Sequence, residues 1–284
     1  MNAIEVKNLE VVYPEFTLDK IEFNVPSGSI VGFVGENGAG KTTTIKAILN
    51  LISHAKGSVS IYGLDNQEQE LAIKKQIGVV LDDAFFYEDF TTKEIATVLV
   101  KMYHNWDQPY FNELLKAHGI TESKVLKELS KGMKAKVKIF AALAHHPRLL
   151  ILDEPTTGLD PVSRDEILDI FYDFIEEDKA ILFSSHITSD IEKIADSVIF
   201  IDRGKIVLTT DQAEFQEDFG IAKLTASQLA DIGEIDYLYR LKTAISTQYL
   251  ISNRRMFLKE YPDIVVEKAT IEATLLMIKK GEVR

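Results

Sequence analysis

No cysteine occurs among the 284 residues, which excludes disulfides, thiolate metal sites and a cysteine nucleophile, and fits a reducing compartment. Uninterrupted apolar runs are short, and none approaches the roughly 18–20 residues needed to span a bilayer. The segment Met1-Asn2-Ala3-Ile4-Glu5 lacks the basic-then-apolar order of a signal peptide. The expectation is therefore a cytosolic chain, held at a membrane only through a partner. Basic residues are the minority charge: 32 Lys and Arg against 44 Asp and Glu leave a net −12, with a pI of 5.1. A nucleic-acid binder working through a basic face must offset phosphate charge, and this balance argues against one. What is present is a globular mixture, 46% apolar and 27% charged, with enough apolar surface for a real core. At roughly 150 residues per domain the length fits one large domain or two unequal ones.

Residues 4–12 and 16–25 alternate apolar and polar, which predicts two antiparallel strands joined at Pro14. After the turn Pro26-Ser27-Gly28, residues 29–34 form a short apolar strand whose glycine-rich exit enters a helix over 41–51. Strands at 58–62, 77–81, 149–152, 180–184 and 198–201 then alternate with helices at 67–75, 162–176 and 187–195. Such alternation predicts a parallel sheet covered by helices. It is interrupted at about 91–144 by helical spacing alone (Ile95, Val98, Leu99, Met102), an all-helical insertion. After about Phe219 the pattern changes, with strands at 222–225, 248–252 and 263–267. The expected division is a main α/β domain over 1–219 and a small α/β extension over 220–284.

The chemistry concentrates in a few strings. Gly35-Glu36-Asn37-Gly38-Ala39-Gly40-Lys41-Thr42 fits G-x-x-x-x-G-K-[ST] between a predicted strand and a predicted helix. Glycines there let backbone N–H groups curl around phosphate oxygens, and the helix N-terminus adds partial positive charge. Lys41 would reach the β- and γ-phosphates and the Thr42 hydroxyl would bind Mg²⁺. Leu149-Leu150-Ile151-Leu152-Asp153-Glu154 is an apolar strand with two carboxylates at its tip, where parallel sheets bind ligands. Asp153 suits the Mg²⁺ shell and Glu154 the polarisation of an attacking water. Leu129-Ser130-Lys131-Gly132-Met133 opens a helix, with Ser130 placed to cap it and Gly132 to admit a phosphate to the backbone. Thr157-Gly158-Leu159-Asp160 and Ser184-Ser185-His186 follow.

Five motifs in this order, covering about residues 1–215, resemble the nucleotide-binding subunit of an ABC transporter. The resemblance implies a P-loop ABC ATPase with a mixed β core, an N-terminal antiparallel β layer, the helical insertion and the C-terminal extension. It implies that Asn37, Gly38, Ala39, Gly40, Lys41, Thr42 and Thr43 hold the phosphates of ATP and that Tyr13 stacks on adenine. It makes Glu154 and His186 catalytic with Lys41, and Ser130, Gly132 and Asp160 the groups that contact ATP bound to a second subunit. Two motifs depart from the family pattern. The signature, usually Leu-Ser-Gly-Gly-Gln, has Lys131 and Met133 at its third and fifth positions. The strand 77–81 is followed by Asp82-Asp83 where the family places Gln, which makes Asp82 a candidate Mg²⁺ ligand together with Thr42 and Asp153.

The family works as a dimer with ATP sandwiched between subunits and hydrolyses it to drive transport. A separate transmembrane permease would be required, placing this chain on the cytoplasmic face of the membrane. The helical insertion and the 82–90 loop, with Ala84, Phe85, Phe86 and Tyr87, would form its docking surface. The overall likeness is to exporters of bacitracin and phenol-soluble-modulin type, and thus to peptide or antibiotic-like substrates. The alternatives are a soluble ABC-type ATPase of translation or DNA repair, and a weakly hydrolysing regulatory module. A soluble factor of those kinds carries two such domains, a long coiled coil or a zinc site, none of which is read here.

Overall fold

The computed structural model describes residues 1–52, 55–82, 86–232 and 235–283. Its central sheet has the order β10-β9-β3-β8-β7-β6. These strands are β3 (Ser29–Val34), β6 (Ile77–Val80), β7 (Leu149–Asp153), β8 (Ala180–Ser185), β9 (Ser197–Asp202) and β10 (Lys205–Asp211). All neighbours pair parallel except β9 and β10. Every residue of β7 and β8 is buried, as expected of strands covered on both faces. The pleat sends Leu150 and Leu152 into one apolar cluster and Leu149 and Ile151 into the other. In register, Val34 lies opposite Ser185 and Asp153 opposite Ser184. The exits of β3, β7 and β8 therefore open together at the carboxyl edge of the sheet.

The alternation expected from the sequence breaks at β4 (Lys56–Ile61). This strand pairs antiparallel with β1 (Asn2–Val12), Ile4 opposite Ile61, in a layer completed by β2 (Thr17–Pro26) and β5 (Leu64–Asp65). Only Val59 and Ile61 of β4 are buried, and a strand with one solvated face suits an antiparallel layer rather than a covered parallel sheet. Strand β10 was not expected. It forms a hairpin with β9 through Arg203-Gly204, both at positive φ, and Arg in place of Asn or Asp conceals the turn signal.

On the antiparallel-layer side, α1 (Lys41–Ile48) packs against β7, and α2 (Glu70–Lys74) precedes β6. The helix expected over 41–51 ends earlier, at Ile48. The helical insertion comprises α3 (Thr92–Met102), α4 (Gln108–Ala117) and α5 (Lys131–Leu143). A capping box of Thr91 with Glu94 starts α3, and Asp107, with Pro109 in the first turn, starts α4. Ile95, Leu99, Phe111, Leu115 and Phe140 bury their faces together. Helices α6 (Pro161–Phe174) and α7 (Thr188–Ile194) cover the same face of the central sheet.

The remaining chain runs α8 (Gln212–Asp218), β11 (Gly220–Leu224), α9 (Ala226–Ile232), β12 (Tyr239–Lys242), β13 (Thr247–Ile251), α10 (Arg254–Glu260), β14 (Val265–Lys268), α11 (Ile271–Lys280) and β15 (Glu282–Val283). Its five strands form an antiparallel sheet in the order β14-β11-β13-β12-β15. Ala222, Leu224, Tyr249 and Phe257 build a small local cluster on one face. Ile221, Leu250, Ile271, Met277 and Ile278 instead join the cluster that holds Phe183 and Phe200 of the central sheet.

Candidate functional site

The turn from β3 into α1 is built by residues 35–42. Gly38 has φ +83, and nothing lies within 4 Å of the point where a Cβ would stand, so the backbone is left-handed and open on that side. Gly40, the residue before α1, is also left-handed, and the Phe16 ring lies 2.9 Å from where its Cβ would stand. Lys41 is 5% exposed. Its Nζ donates to Gly35 O at 2.7 Å and Glu36 O at 3.2 Å, and lies 3.2 Å from Glu154 Oε1. Glu36, Asn37, Gly38 and Thr42 face solvent, Ala39 is buried, and Thr43, the third residue of α1, is half-buried.

Three exits of the central sheet then meet. The Thr42 hydroxyl donates to Asp153 Oδ2 at 2.7 Å, and Ser184 Oγ donates to Asp153 Oδ1 at 2.5 Å. Glu154 has φ +51, a left-handed conformation costing about 1–2 kcal/mol in a non-glycine residue. That geometry is held by its N–H, which donates to Ser184 O at 3.2 Å and Ser184 Oγ at 3.1 Å. Glu154 Oε2 accepts from Thr157 Oγ1 at 2.9 Å and from the His186 backbone N–H at 3.3 Å, and lies 2.7 Å from His186 Nδ1. Burial, the largest single influence, pushes the Glu154 carboxyl pKa up. The Lys41 charge, the Thr157 hydroxyl and His186 together outweigh it and hold the pKa below the ordinary carboxylate value, so Glu154 is ionised. Its Oε1 is buried and, although beside Lys41, accepts no well-directed hydrogen bond, which leaves an acceptor available for a water.

Thr42 and Asp153 offer an alcohol and a carboxylate, hard oxygen donors that suit Mg²⁺. Among the described residues no group of three or more His, Cys, Asp or Glu side chains could hold a metal, so phosphate and water oxygens would complete the shell. Asp82 is exposed on the wall of a cavity of about 350 Å³ that Asp153, Glu154, Lys131, Lys134 and Lys138 also line. Burial lowers the Lys138 pKa, and the charges of Asp82 and then Glu88 raise it, so the carboxylate at 82 faces a cation from α5. Tyr13 is 44% exposed. It belongs to the turn closed by its N–H donating to Phe16 O at 2.8 Å, and Phe16 is the residue of that turn that lies against Gly40. Asp83, Ala84 and Phe85 lie outside the described residues. Of the expected docking aromatics, Phe86 packs partly into the main cluster and Tyr87 is 77% exposed.

Ser130, Gly132 and Asp160 form a second group. Ser130 caps α5 by accepting from Met133 N at 3.2 Å, and Asp160 caps α6 by accepting from Ser163 N at 3.0 Å. Ser163, first through its backbone N–H and then its hydroxyl, holds the Asp160 carboxyl below its usual pKa. A Cβ on Gly132 would stand 2.3 Å from Ser163 Oγ and 3.9 Å from Asp160 Oδ2. Glycine is therefore required at 132 by the approach of α5 to α6, a reason the sequence did not disclose. Among the described residues no hydrogen bond or ion pair joins this group to the 35–42 loop, Asp153, Glu154 or His186. Two further participants escaped sequence reasoning: Ser184, whose hydroxyl holds Asp153, and Thr157, whose hydroxyl holds Glu154. Both sat inside quoted strings but carry no spacing signal of their own.

Known proteins are similar to this chain in sequence and fold. A family model described as ABC transporter matches residues 18–157. The bacitracin transport ATP-binding protein BcrA of Bacillus licheniformis is 37% identical over 194 residues, 67% of this chain but 63% of its own length. The lantibiotic transport ATP-binding protein SrtF of Streptococcus pyogenes is 32% identical over 209 residues, 72% of this chain and 89% of its own. A solved ATP-binding subunit of an ABC transporter superposes with a TM-score of 0.68 at 28% identity, covering 75% of this chain and 92% of that one. With a relative matched over nearly its full length and the same fold around the same loop, the chain belongs to the ABC transporter family, among its ATP-binding subunits.

Proposed function

We propose that this chain binds Mg-ATP between its own 35–42 loop and the Ser130, Gly132 and Asp160 group of a second copy, hydrolyses it, and thereby drives export through a separate transmembrane permease. The observation that carries this reading is the division of the site. Groups that hold and cleave a phosphate anhydride gather around Lys41 and Glu154, while helix-capping groups suited to a phosphate lie apart on α5 and α6. Among the described residues no hydrogen bond or ion pair joins the halves within one copy, and a two-fold pair of copies would bring them together.

Lys41 neutralises charge on the β- and γ-phosphates, exchanging its Glu154 partner for phosphate oxygens while the Gly35 and Glu36 carbonyls continue to hold it. Asn37, Gly38, Ala39, Gly40 and Thr43 supply backbone and hydroxyl donors around them, and Tyr13 stacks on the base. Ionised Glu154 accepts a proton from the attacking water, with Thr157 fixing its orientation. His186, 2.7 Å from Glu154 through Nδ1, has its other ring nitrogen free to address the γ-phosphate. Mg²⁺ held by Thr42 and Asp153, with Asp82 on the same cavity wall, supplies Lewis-acid stabilisation of phosphate charge.

Among the described residues no helix is long and apolar enough to cross a membrane, in keeping with a permease made separately. Its docking place is a groove of about 600 Å³ running from the end of α1 past α2 and β6 to the end of α3. Leu51, Leu71 and Met102 are exposed there, an apolar lining suited to a short helix of the permease on the cytoplasmic side of the membrane. The names of the relatives, bacitracin and lantibiotic transport, support a peptide or antibiotic-like substrate.

Complementation tests the composite site. Lys41→Ala spoils the loop, and Ser130→Asp keeps the helix cap but sets a negative charge against the incoming phosphate. Each protein alone should be inactive. An equimolar mixture should recover about a quarter of wild-type turnover, because half the dimers are mixed and each of those holds one intact site. No recovery on mixing, with both variants folded, would refute a site shared between copies.

A further inference from the structure

We infer that Lys279, near the end of α11, is a positioning residue of the nucleotide site: it neutralises Glu36 of the 35–42 loop, and α11 fastens that loop to the helix following His186. The inference rests on reading 35–42 as the phosphate loop. Lys279 Nζ lies 2.5 Å from Glu36 Oε2. At its other end α11 begins against α7, where Ile271 N donates to Glu192 Oε1 at 2.9 Å. From Ile271 to Lys279 a helix rises about 12 Å, so α11 bridges the two sides of the site. Ile271, Met277 and Ile278 are buried in the main cluster, which fixes the bridge in place. Between α11 and the site lies a cavity of about 850 Å³ whose wall includes Glu36, Asn37, His186, Leu276 and Lys279.

The electrostatic need is specific. A loop that receives polyanionic phosphates carries a carboxylate at position 36, next to Asn37 and one of the carbonyls that hold Lys41. Lys279 and Lys280 occupy the last turn of α11, and it is Lys279 that meets the Glu36 carboxylate. Lys279 and Glu36 are each close to half exposed, so solvent screens the pair and the effect is small and salt-dependent.

The test is Mg-ATP affinity of the full chain at low and high salt. Lys279→Ala should weaken binding about two- to five-fold at low salt, the range of an exposed ion pair, and much less at high salt. Lys279→Arg should restore it. In a Glu36→Gln background Lys279→Ala should have no further effect, because the charge it offsets is gone; a helix displaced for structural reasons would lose affinity in both backgrounds. Unchanged affinity in Lys279→Ala, or an equal loss in the Glu36→Gln background, would overturn the inference. Lys41→Ala serves as the reference: if it binds normally, the phosphate-loop reading has failed instead.

Discussion

Replacing Glu154 by Gln tests the centre of the site, because Glu154 partners Lys41 before any phosphate does. The two charges are 3.2 Å apart and 5% and 11% exposed. At an effective dielectric constant of about 20 their attraction is about 5 kcal/mol, most of it cancelled by desolvation. Lys41 also keeps its bonds to Gly35 O and Glu36 O, so an incoming γ-phosphate has to displace a net interaction of about 1–2 kcal/mol with Glu154. Glu154→Gln removes that competitor and keeps the shape. Mg-ATP should bind roughly 5- to 30-fold more tightly, while turnover falls about 10²- to 10⁴-fold through loss of the base. The bound nucleotide should persist and hold a dimer. Titration with a fluorescent ATP analogue, phosphate release and sedimentation with and without Mg-ATP measure the three effects. Turnover near wild type would assign the water to another group. Lost turnover with unchanged or weaker binding would mean that the Lys41–Glu154 pair does not compete with nucleotide.

Two further substitutions probe neighbouring features. Gly132→Ala drives a Cβ to 2.3 Å from Ser163 Oγ, and should lower stability by about 1–3 kcal/mol, seen as a reduced Tm that Ser163→Gly largely restores; an unchanged Tm would remove the packing requirement at 132. Asp82→Asn removes the carboxylate facing Lys138 and the Asp153–Glu154 cavity, and should narrow the affinity gap between Mg-ATP and metal-free ATP. An unchanged gap in isothermal titration would show that Asp82 does not reach the metal.

The parallel strands of the central sheet were legible because they are largely buried and so read as unbroken apolar runs, as in Leu149-Leu150-Ile151-Leu152, whereas the edge strand β10, mostly not buried, was missed. The 35–42 loop was legible for the converse reason: its glycines answer a local backbone demand that no distant contact can supply. Elements set by tertiary context were less so. Strand β4 buries only Val59 and Ile61, and its choice of sheet depends on β1, 57 residues earlier at the Ile4–Ile61 pair. Strands β12 and β15 have four and two residues, too few for a period to show. At the site, Ser184 became visible only when parallel pairing set it opposite Asp153. Lys279 is separated from Glu36 by most of the chain, and nothing in its local sequence distinguishes it from Lys280.

Apart from Glu154 Oε1, the polar groups around the phosphate and metal positions are partnered with one another. Lys41 is held by Glu154, Glu154 by Thr157 and His186, Thr42 by Asp153, and Asp153 by Ser184. Phosphate and metal must therefore exchange these contacts rather than add to an unsatisfied pocket, so the net affinity of one copy is a difference between terms of similar size. Contacts from the Ser130, Gly132 and Asp160 group of a second copy have no such exchange to make with the 35–42 side, since among the described residues no hydrogen bond or ion pair joins the two within one chain. On the proposed reading they fall almost wholly on the favourable side. That asymmetry couples nucleotide binding to association: the closed pair gains what the single copy cannot, and a ligand shifts a two-state equilibrium only by its differential affinity for the two states. Hydrolysis removes the γ-phosphate that both halves address. Lys41 and Glu154 can then return to each other, and the energetic reason for closure is lost in the same step.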